Sequence, residues 1–392
     1  MSHRLINHSP DIKKLRDLGY EVEVIGNYLL VHSIPFLNAC KKVVKGTLVT
    51  NVSIANNCVT KPNTHVIHFV GEFPCNIDGT IITQIQHASN TVKLAEGIVV
   101  NHSFSNKPVN GYPNYFEKVT QYIKIISAPA KNVDPDITAQ TYKVIESSEV
   151  DSVLNYSDTN SSKAEIDIIN QKISGLKIGI VGLGGTGSYI LDFVSKTLVG
   201  EIHLFDGDKF LQHNAFRAPS APSLEELNES TNKVEYYRRI YSKMHKHIIP
   251  HVLYLNEINL GLLNDLDFVF ICIDKSEAKK QIFEKLESLK IPFIDTGIGV
   301  KRVDDSLIGM VRTTASTEGK RNHVWEGRVS FADDKDEAYS TNIQIAEINA
   351  LNAVYSVIKW KKLYGFFNDL EGEHDSVYSI NVNHIENNDS ST

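Results

Sequence analysis

The apolar run at residues 176–181 is followed at once by Gly182-Leu183-Gly184-Gly185-Thr186-Gly187-Ser188, and then by a helical stripe of Ile190, Leu191, Val194 and Leu198. No other stretch of the chain restricts the fold as tightly. Glycines between a strand and a helix permit a tight turn and let backbone N–H groups approach phosphate at the helix N-terminus. The same pattern serves many dinucleotide enzymes, so alone it selects a nucleotide-binding α/β fold and no particular chemistry.

Strand-like and helix-like segments keep alternating downstream. Strands are expected over 201–205, 266–273 and 292–295, with helices over 233–247 and 276–289. Such alternation predicts a parallel sheet covered by helices on both faces. Residues 343–363 read as a closing helix and 377–382 as the final edge strand. At 392 residues the chain is too long for one ordinary core. Residues 1–130 read as a smaller α+β domain, with short Val-, Ile- and Tyr-rich strands at 28–31, 47–49 and 65–70. Residues 131–170 turn polar and are expected to form a linker or arm. The α/β domain then occupies 171–385, and 386–392 form a polar tail.

Composition removes several function classes. Forty basic against forty-seven acidic side chains give a net charge of −7, the wrong balance for a general nucleic-acid binder. No apolar run is long enough to span a bilayer and the first residues carry no apolar signal core, so the expectation is a cytoplasmic protein without a membrane partner. The four cysteines, Cys40, Cys58, Cys75 and Cys272, are scattered and form no CxxC pair, which fits a reducing compartment.

Candidate chemistry gathers at the strand ends. The strand after the glycines ends in Asp206-Gly207-Asp208, where an acid hydrogen-bonds a ribose in dinucleotide folds. NAD and ATP readings are level at that point. Asn214 and Arg217 follow, Lys233 opens an amphipathic helix, and Asp274 ends the strand Phe268-Val269-Phe270-Ile271-Cys272-Ile273. Parallel strands bring these residues to one sheet edge with the glycines. A guanidinium, an ammonium, an amide and a carboxylate around a glycine cradle suit a triphosphate with Mg²⁺. Hydride transfer needs neither the metal carboxylate nor two cations.

In combination, the DxD, the N-x-x-R, the lysine opening a helix and the Asp ending the fourth strand resemble the ThiF/MoeB/HesA adenylation domain, also the core of ubiquitin-activating enzymes. Asn342-Ile343-Gln344-Ile345-Ala346-Glu347 is similar to that family's C-terminal helix. The resemblance covers residues 170–385 and implies a Rossmann-like fold. It makes Gly182, Gly184, Gly185, Gly187, Asp206, Asp208, Asn214, Arg217 and Lys233 the nucleotide-binding set, with Asp206 on the ribose and Asn214 and Arg217 on the phosphates. Lys233 would stabilise the pentavalent transition state and Asp274 would bind Mg²⁺, so that Arg217, Lys233 and Asp274 form the catalytic group. The implied reaction is attack of a C-terminal carboxylate on the α-phosphate of ATP, giving an acyl adenylate and pyrophosphate. The implied substrate is a ubiquitin-like protein ending in glycine, served by a homodimer and a separate conjugating protein. Trp360 and Phe366-Phe367 are expected to contribute to the dimer interface. Rival readings are activation of a ribosomal peptide or another carboxylate, a non-catalytic nucleotide-binding scaffold and, more remotely, an NAD-dependent oxidoreductase. In the front domain, His102-Ser103-Phe104-Ser105-Asn106-Lys107-Pro108 and Gly111-Tyr112-Pro113 resemble an uncharacterised domain fused ahead of bacterial ThiF-like enzymes.

The sequence departs from the family in three places. Without CxxC pairs no structural zinc is expected. The arm that in relatives carries an arginine finger has Lys163 and no Arg, and a solvated lysine is the reading preferred there. No cysteine follows Cys272, which itself falls inside an expected buried strand. Cys75, at what reads as a turn, is therefore the internal candidate for a thioester. His65 and His68, near Cys75, read as polar residues of one strand, and Asp333-Asp334-Lys335-Asp336-Glu337 as a solvated loop with substrate docking as its alternative.

Overall fold

The computed structural model describes residues 6, 9–55, 58–143, 152–156, 158, 160–161, 166–331 and 343–387. Lys163, Asn342, the acidic run at 333–337 and the tail beyond Asn387 lie outside them. The described residues fall into two compact units that part between about residues 152 and 166.

Among the described residues, the front unit holds a six-stranded antiparallel sheet, two helices of eight residues or more and two short two-stranded sheets. The strands of the larger sheet are β1 (Val22–Ile25), β2 (Tyr28–Leu37), β3 (Val43–Asn51), β4 (Val66–Val70), β5 (Gln86–Ala88) and β6 (His102–Ser105), in the order β1-β2-β3-β4-β6-β5. Helix α1 (Pro10–Asp17) starts on proline, whose fixed φ suits a first helical turn. Helix α2 (Tyr115–Val133) is capped by Asn114, whose side chain accepts the Glu117 N–H at 2.8 Å. Tyr115, Val119, Tyr122 and Ile126 recur at helical spacing and are fully buried. They close a core containing Phe36, Phe69 and Phe104, one from each of three strands, with neighbouring ring centroids 5.3 Å apart. Beyond α2, Gln140 donates to the Leu18 carbonyl and Tyr142 N–H to the Gly19 carbonyl, at 2.8 and 3.0 Å.

Cys75 is not at an open turn. It is 1% exposed, paired through isolated bridges with Leu37 and Ile81, and its thiol donates to the Phe73 carbonyl. Burial, then the nearby Glu72 and Asp78 carboxylates, push its pKa up, which disfavours the thiolate a thioester needs. His65 precedes β4 and its carbonyl accepts the Tyr122 hydroxyl, while His68 sits half-buried in the strand.

The second unit carries an eight-stranded sheet: β7 (Lys177–Val181), β8 (Glu201–Phe205), β9 (Ile248–His251), β10 (Phe268–Ile271), β11 (Phe293–Val303), β12 (Ser306–Ser316), β13 (Asp375–Ser379) and β14 (His384–Asn387). The order is β9-β8-β7-β10-β11-β12-β13-β14; the first five are parallel and the rest antiparallel. The chain runs outward from β7 through β8 to β9, then returns to place β10 on the other side of β7. That reversal is a topological switch point, where open α/β sheets leave a crevice beyond their carboxyl ends. Helices α3 (Gly185–Val194), α4 (Lys233–Tyr241), α5 (Ser276–Ser288) and α6 (Ala346–Leu363) accompany the sheet.

Three elements differ from expectation. The strand expected at 292–295 runs to Val303 and forms a long hairpin with β12, in register from Phe293↔Ser316 to Val303↔Ser306. The helix expected to reach 247 ends at Tyr241, and the chain turns into the unforeseen β9. β13 is not the edge, because β14 pairs outside it. Trp360 is wholly buried against Phe268 and Phe270, so it belongs to the core and not to a surface that a second copy could use. Phe366 packs on the same core and Phe367 is 42% exposed.

Candidate functional site

The crevice beyond β7, β8 and β10 is a cavity of about 330 Å³. Its wall includes Gly182, Gly184, Gly185, Asp206, Asp208, Arg217, Lys233 and Asp274, so eight residues singled out in the sequence meet in one place. Gly182 has φ +87°, and a Cβ there would lie 2.7 Å from the Cys272 carbonyl oxygen. Gly187 is not part of the wall. A Cβ on it would stand 1.9 Å from the Gly182 carbonyl oxygen, so it lets α3 seat against the turn. Gly184 is the N-cap of α3 and has open space around it, leaving the first N–H groups of that helix beside the cavity.

Asp206 is 7% exposed and holds the turn together. Its Oδ2 accepts the Leu183 N–H at 2.7 Å and its Oδ1 the Asp208 N–H at 2.8 Å. Each carboxylate oxygen keeps a further lone pair, so a ribose hydroxyl can still bind there. Lys233 is 5% exposed, with Nζ 2.7 Å from Asp208 and 3.6 Å from Asp206. Asp208 also accepts from the Tyr254 hydroxyl. The Lys233 ammonium, and after it Tyr254, hold the Asp208 carboxyl below the usual range, and the same bond pushes Tyr254 up to about 12. Tyr254 lies over Gly207, where a Cβ would meet its ring at 2.7 Å.

Arg217 gives Nη1 to Gln344 at 2.8 Å, and its Nε is buried with no hydrogen-bond partner among the described residues. Asn214 is buried and is not among the residues of the wall. Its Oδ1 accepts the Leu211 N–H and caps the short helix Gln212–Ala215, fixing the loop that delivers Arg217. Asp274 is exposed at the rim. Cys272 lies one residue beyond β10 and not inside a strand. It forms part of the cavity wall, where burial pushes its thiol up to about 12.

Sequence reasoning missed much of the remaining wall. Thr296 and Ile298 come from β11, Asn349 and Asn352 from α6, and Leu253, Tyr254 and Leu255 from the loop after β9. Two asparagines three apart on a largely apolar closing helix were the available signal, since a polar side chain is buried there only with a task. Nothing in the sequence pointed to Tyr254.

A family model described as the ThiF family matches residues 151–388. The chain belongs to the ThiF family. Residues 10–159 match a second model, a domain of unknown function designated DUF6791, in agreement with the resemblance of the front unit to an uncharacterised domain. Over 150 residues the chain is 25% identical to the ubiquitin-like modifier-activating enzyme 5 of Culex quinquefasciatus, covering 36% of this chain and 37% of that one. The enzyme of the same name from Mus musculus is 24% identical over 152 residues, 36% and 38% of the two chains. The chain thus spans little more than a third of the length of these curated relatives. Among solved structures it is similar to E. coli MccB with ATP (18% identity, 56% of this chain and 65% of that chain, TM-score 0.42) and to selenomethionine PaaA (15%, 58% and 78%, TM-score 0.45).

Proposed function

We propose that this ThiF-family chain adenylates the C-terminal carboxylate of a small protein, a ubiquitin-like protein ending in glycine. The observation that carries the reading is the buried Lys233 ammonium, placed with Arg217 and Asp274 around the glycine turn in one cavity. Family membership and the modifier-activating relatives support the choice of substrate.

In this reading the triphosphate lies along the N-terminus of α3, where backbone N–H groups receive phosphate oxygens. The apolar side chains of Phe205, Leu253 and Leu255 take the base, and Asp206 the ribose. An oxygen of the substrate carboxylate attacks the α-phosphorus. The bond from that phosphorus to the β-bridging oxygen breaks, and pyrophosphate leaves. Lys233 and Arg217 stabilise charge developing on the phosphoryl oxygens; side chains do no covalent work, so catalysis is positioning and electrostatics. Asp274 would hold Mg²⁺. Among the described residues no three His, Cys, Asp or Glu side chains converge on a metal position. A single carboxylate fits this ion, which takes one or two protein ligands and fills its shell with phosphate oxygens and water. When bound, Mg²⁺ would neutralise the leaving pyrophosphate. With Cys75 buried and the Cys272 thiol raised, the acyl group passes directly to an external acceptor, such as a cysteine of a separate conjugating protein.

The test is exchange of labelled pyrophosphate into ATP on adding small proteins that end in glycine. Exchange that depends on the added protein and on Mg²⁺, with ATP binding and no NAD binding, is the expected result. NAD binding without ATP binding would overturn the reading.

A further inference from the structure

Two stretches of the cavity wall offer a ligand different hydrogen-bonding chemistry. The glycine side presents backbone donors at the start of α3. Along the wall made by β11 and α6, the donors are already committed. Thr296 donates to the Ile271 carbonyl at 3.2 Å and Asn349 Nδ2 to the Arg217 and Ile345 carbonyls at 3.3 and 3.1 Å, while Asn349 Oδ1 accepts from Thr186 of α3 at 3.2 Å. Asn352 Nδ2 donates to the Gly297 carbonyl at 3.1 Å, which fixes the orientation of its amide, because a flip would set two acceptors against each other. Asn349 is therefore satisfied at both ends. Asn352 is not: the residue is 0% exposed, forms part of the cavity wall, and its Oδ1 has no hydrogen-bond partner among the described residues.

A wall of buried acceptors repels phosphate and carboxylate oxygens and favours a group that brings an N–H. Of the two reactants, the nucleotide's acidic parts cannot supply one. Its exocyclic amine belongs to a base placed by β8, whereas Asn352 is tied to β11, three strand spacings or roughly 14 Å across the sheet. We propose that this wall reads the peptide backbone of the substrate, with Asn352 Oδ1 accepting the N–H of the residue that bears the reacting carboxylate. The inference rests on the adenylation reading and deepens it. It makes the substrate a carboxylate with an N–H on the neighbouring carbon, as at a peptide or protein C-terminus, and excludes a simple organic acid.

The probes are two non-hydrolysable adenylate mimics, acetylglycyl sulfamoyl adenosine and its acetoxyacetyl analogue, in which one ester oxygen replaces that N–H. Calorimetric titration of the full chain should show the acetylglycyl probe binding about ten- to a hundredfold more tightly. In Asn352→Leu the two affinities should agree within about threefold, with ATP affinity nearly unchanged. Equal binding of both probes by the wild-type protein would overturn the proposal, and this arm needs no variant to fold. A loss of ATP affinity in Asn352→Leu equal to the loss for the acetylglycyl probe would also overturn it, pointing to the base as the donor. If ATP binds and neither probe does, the proposal falls while the nucleotide site stands. If ATP does not bind either, the adenylation reading falls with it.

Discussion

Lys233→Ala should damage both stability and activity, and a second substitution should separate the two. Lys233 is buried between Asp206, whose side chain is 6% exposed, and Asp208, which is 51% exposed. Removing one partner of a fully buried ion pair costs about 3–5 kcal/mol, because the remaining charge is left uncompensated. Half of the charge here faces solvent, so about 2–4 kcal/mol is expected. For a domain of this size that is roughly 5–15 °C in Tm. Losing a cation that acts on developing phosphate charge should separately lower pyrophosphate exchange by about 10²–10³. In Lys233→Ala/Asp208→Asn one stranded carboxylate is gone, and about half of the Tm loss should return while exchange stays low. Differential scanning calorimetry and the exchange assay read the two effects on the same samples. Exchange within about tenfold of wild type in the double variant would refute the reasoning and leave Lys233 a structural counter-ion. The pH dependence has a defined sign. The Asp208 pKa is depressed below 3.8, first by Lys233 and then by Tyr254. Its stabilising contribution is therefore complete above about pH 4 and is lost as the pH falls through the lowered value. The Tm gap between wild type and Lys233→Ala should narrow below pH 4.

Other positions give sharper single outcomes. Gly187→Ala places a methyl group against the Gly182 carbonyl oxygen and should cost about 1–3 kcal/mol or more in thermal unfolding. Gly184→Ala meets nothing, so it should keep the wild-type Tm and weaken ATP binding through the methyl group at the cavity wall. Enzyme incubated with Mg-ATP and the small protein that supports exchange should show no reductant-sensitive adduct between the two on a non-reducing gel. The thiol to watch is now Cys40, which is exposed, and an adduct that vanishes in Cys40→Ser would make the front unit a carrier. Metal analysis of untagged protein should find no stoichiometric zinc, and one zinc per chain would overturn the reading of the missing CxxC pairs.

Much of the fold was legible because its signals are local. An apolar run, a glycine turn and a helical stripe are adjacent in the chain, and β7 with α3 follows from them. The β11–β12 hairpin was hidden because Gly297, Gly299, Lys301 and Arg302 break the apolar pattern; residue-by-residue pairing with β12 makes it a strand. At β9, four residues with a proline gave too little to read. In the site, charged residues at strand ends announced themselves, but their hydrogen bonds did not. Asp206 clamps the glycine turn and Asn214 caps a helix, tasks that composition cannot separate from ligand binding. Asn349 and Asn352 reach the cavity from a helix more than 150 residues after the glycines, and only the packing of α6 brings them there.

The most direct test of the central claim follows one oxygen atom. A small protein ending in glycine that supports exchange is labelled with ¹⁸O in its C-terminal carboxylate, then incubated with the enzyme, Mg-ATP and a thiol acceptor. Attack at the α-phosphorus places the attacking oxygen between carbon and phosphorus, and transfer of the acyl group to the thiol leaves that oxygen on AMP. Mass spectrometry should find one ¹⁸O in each AMP formed and none in pyrophosphate. Label in inorganic phosphate, with ADP as the nucleotide product, would contradict the account.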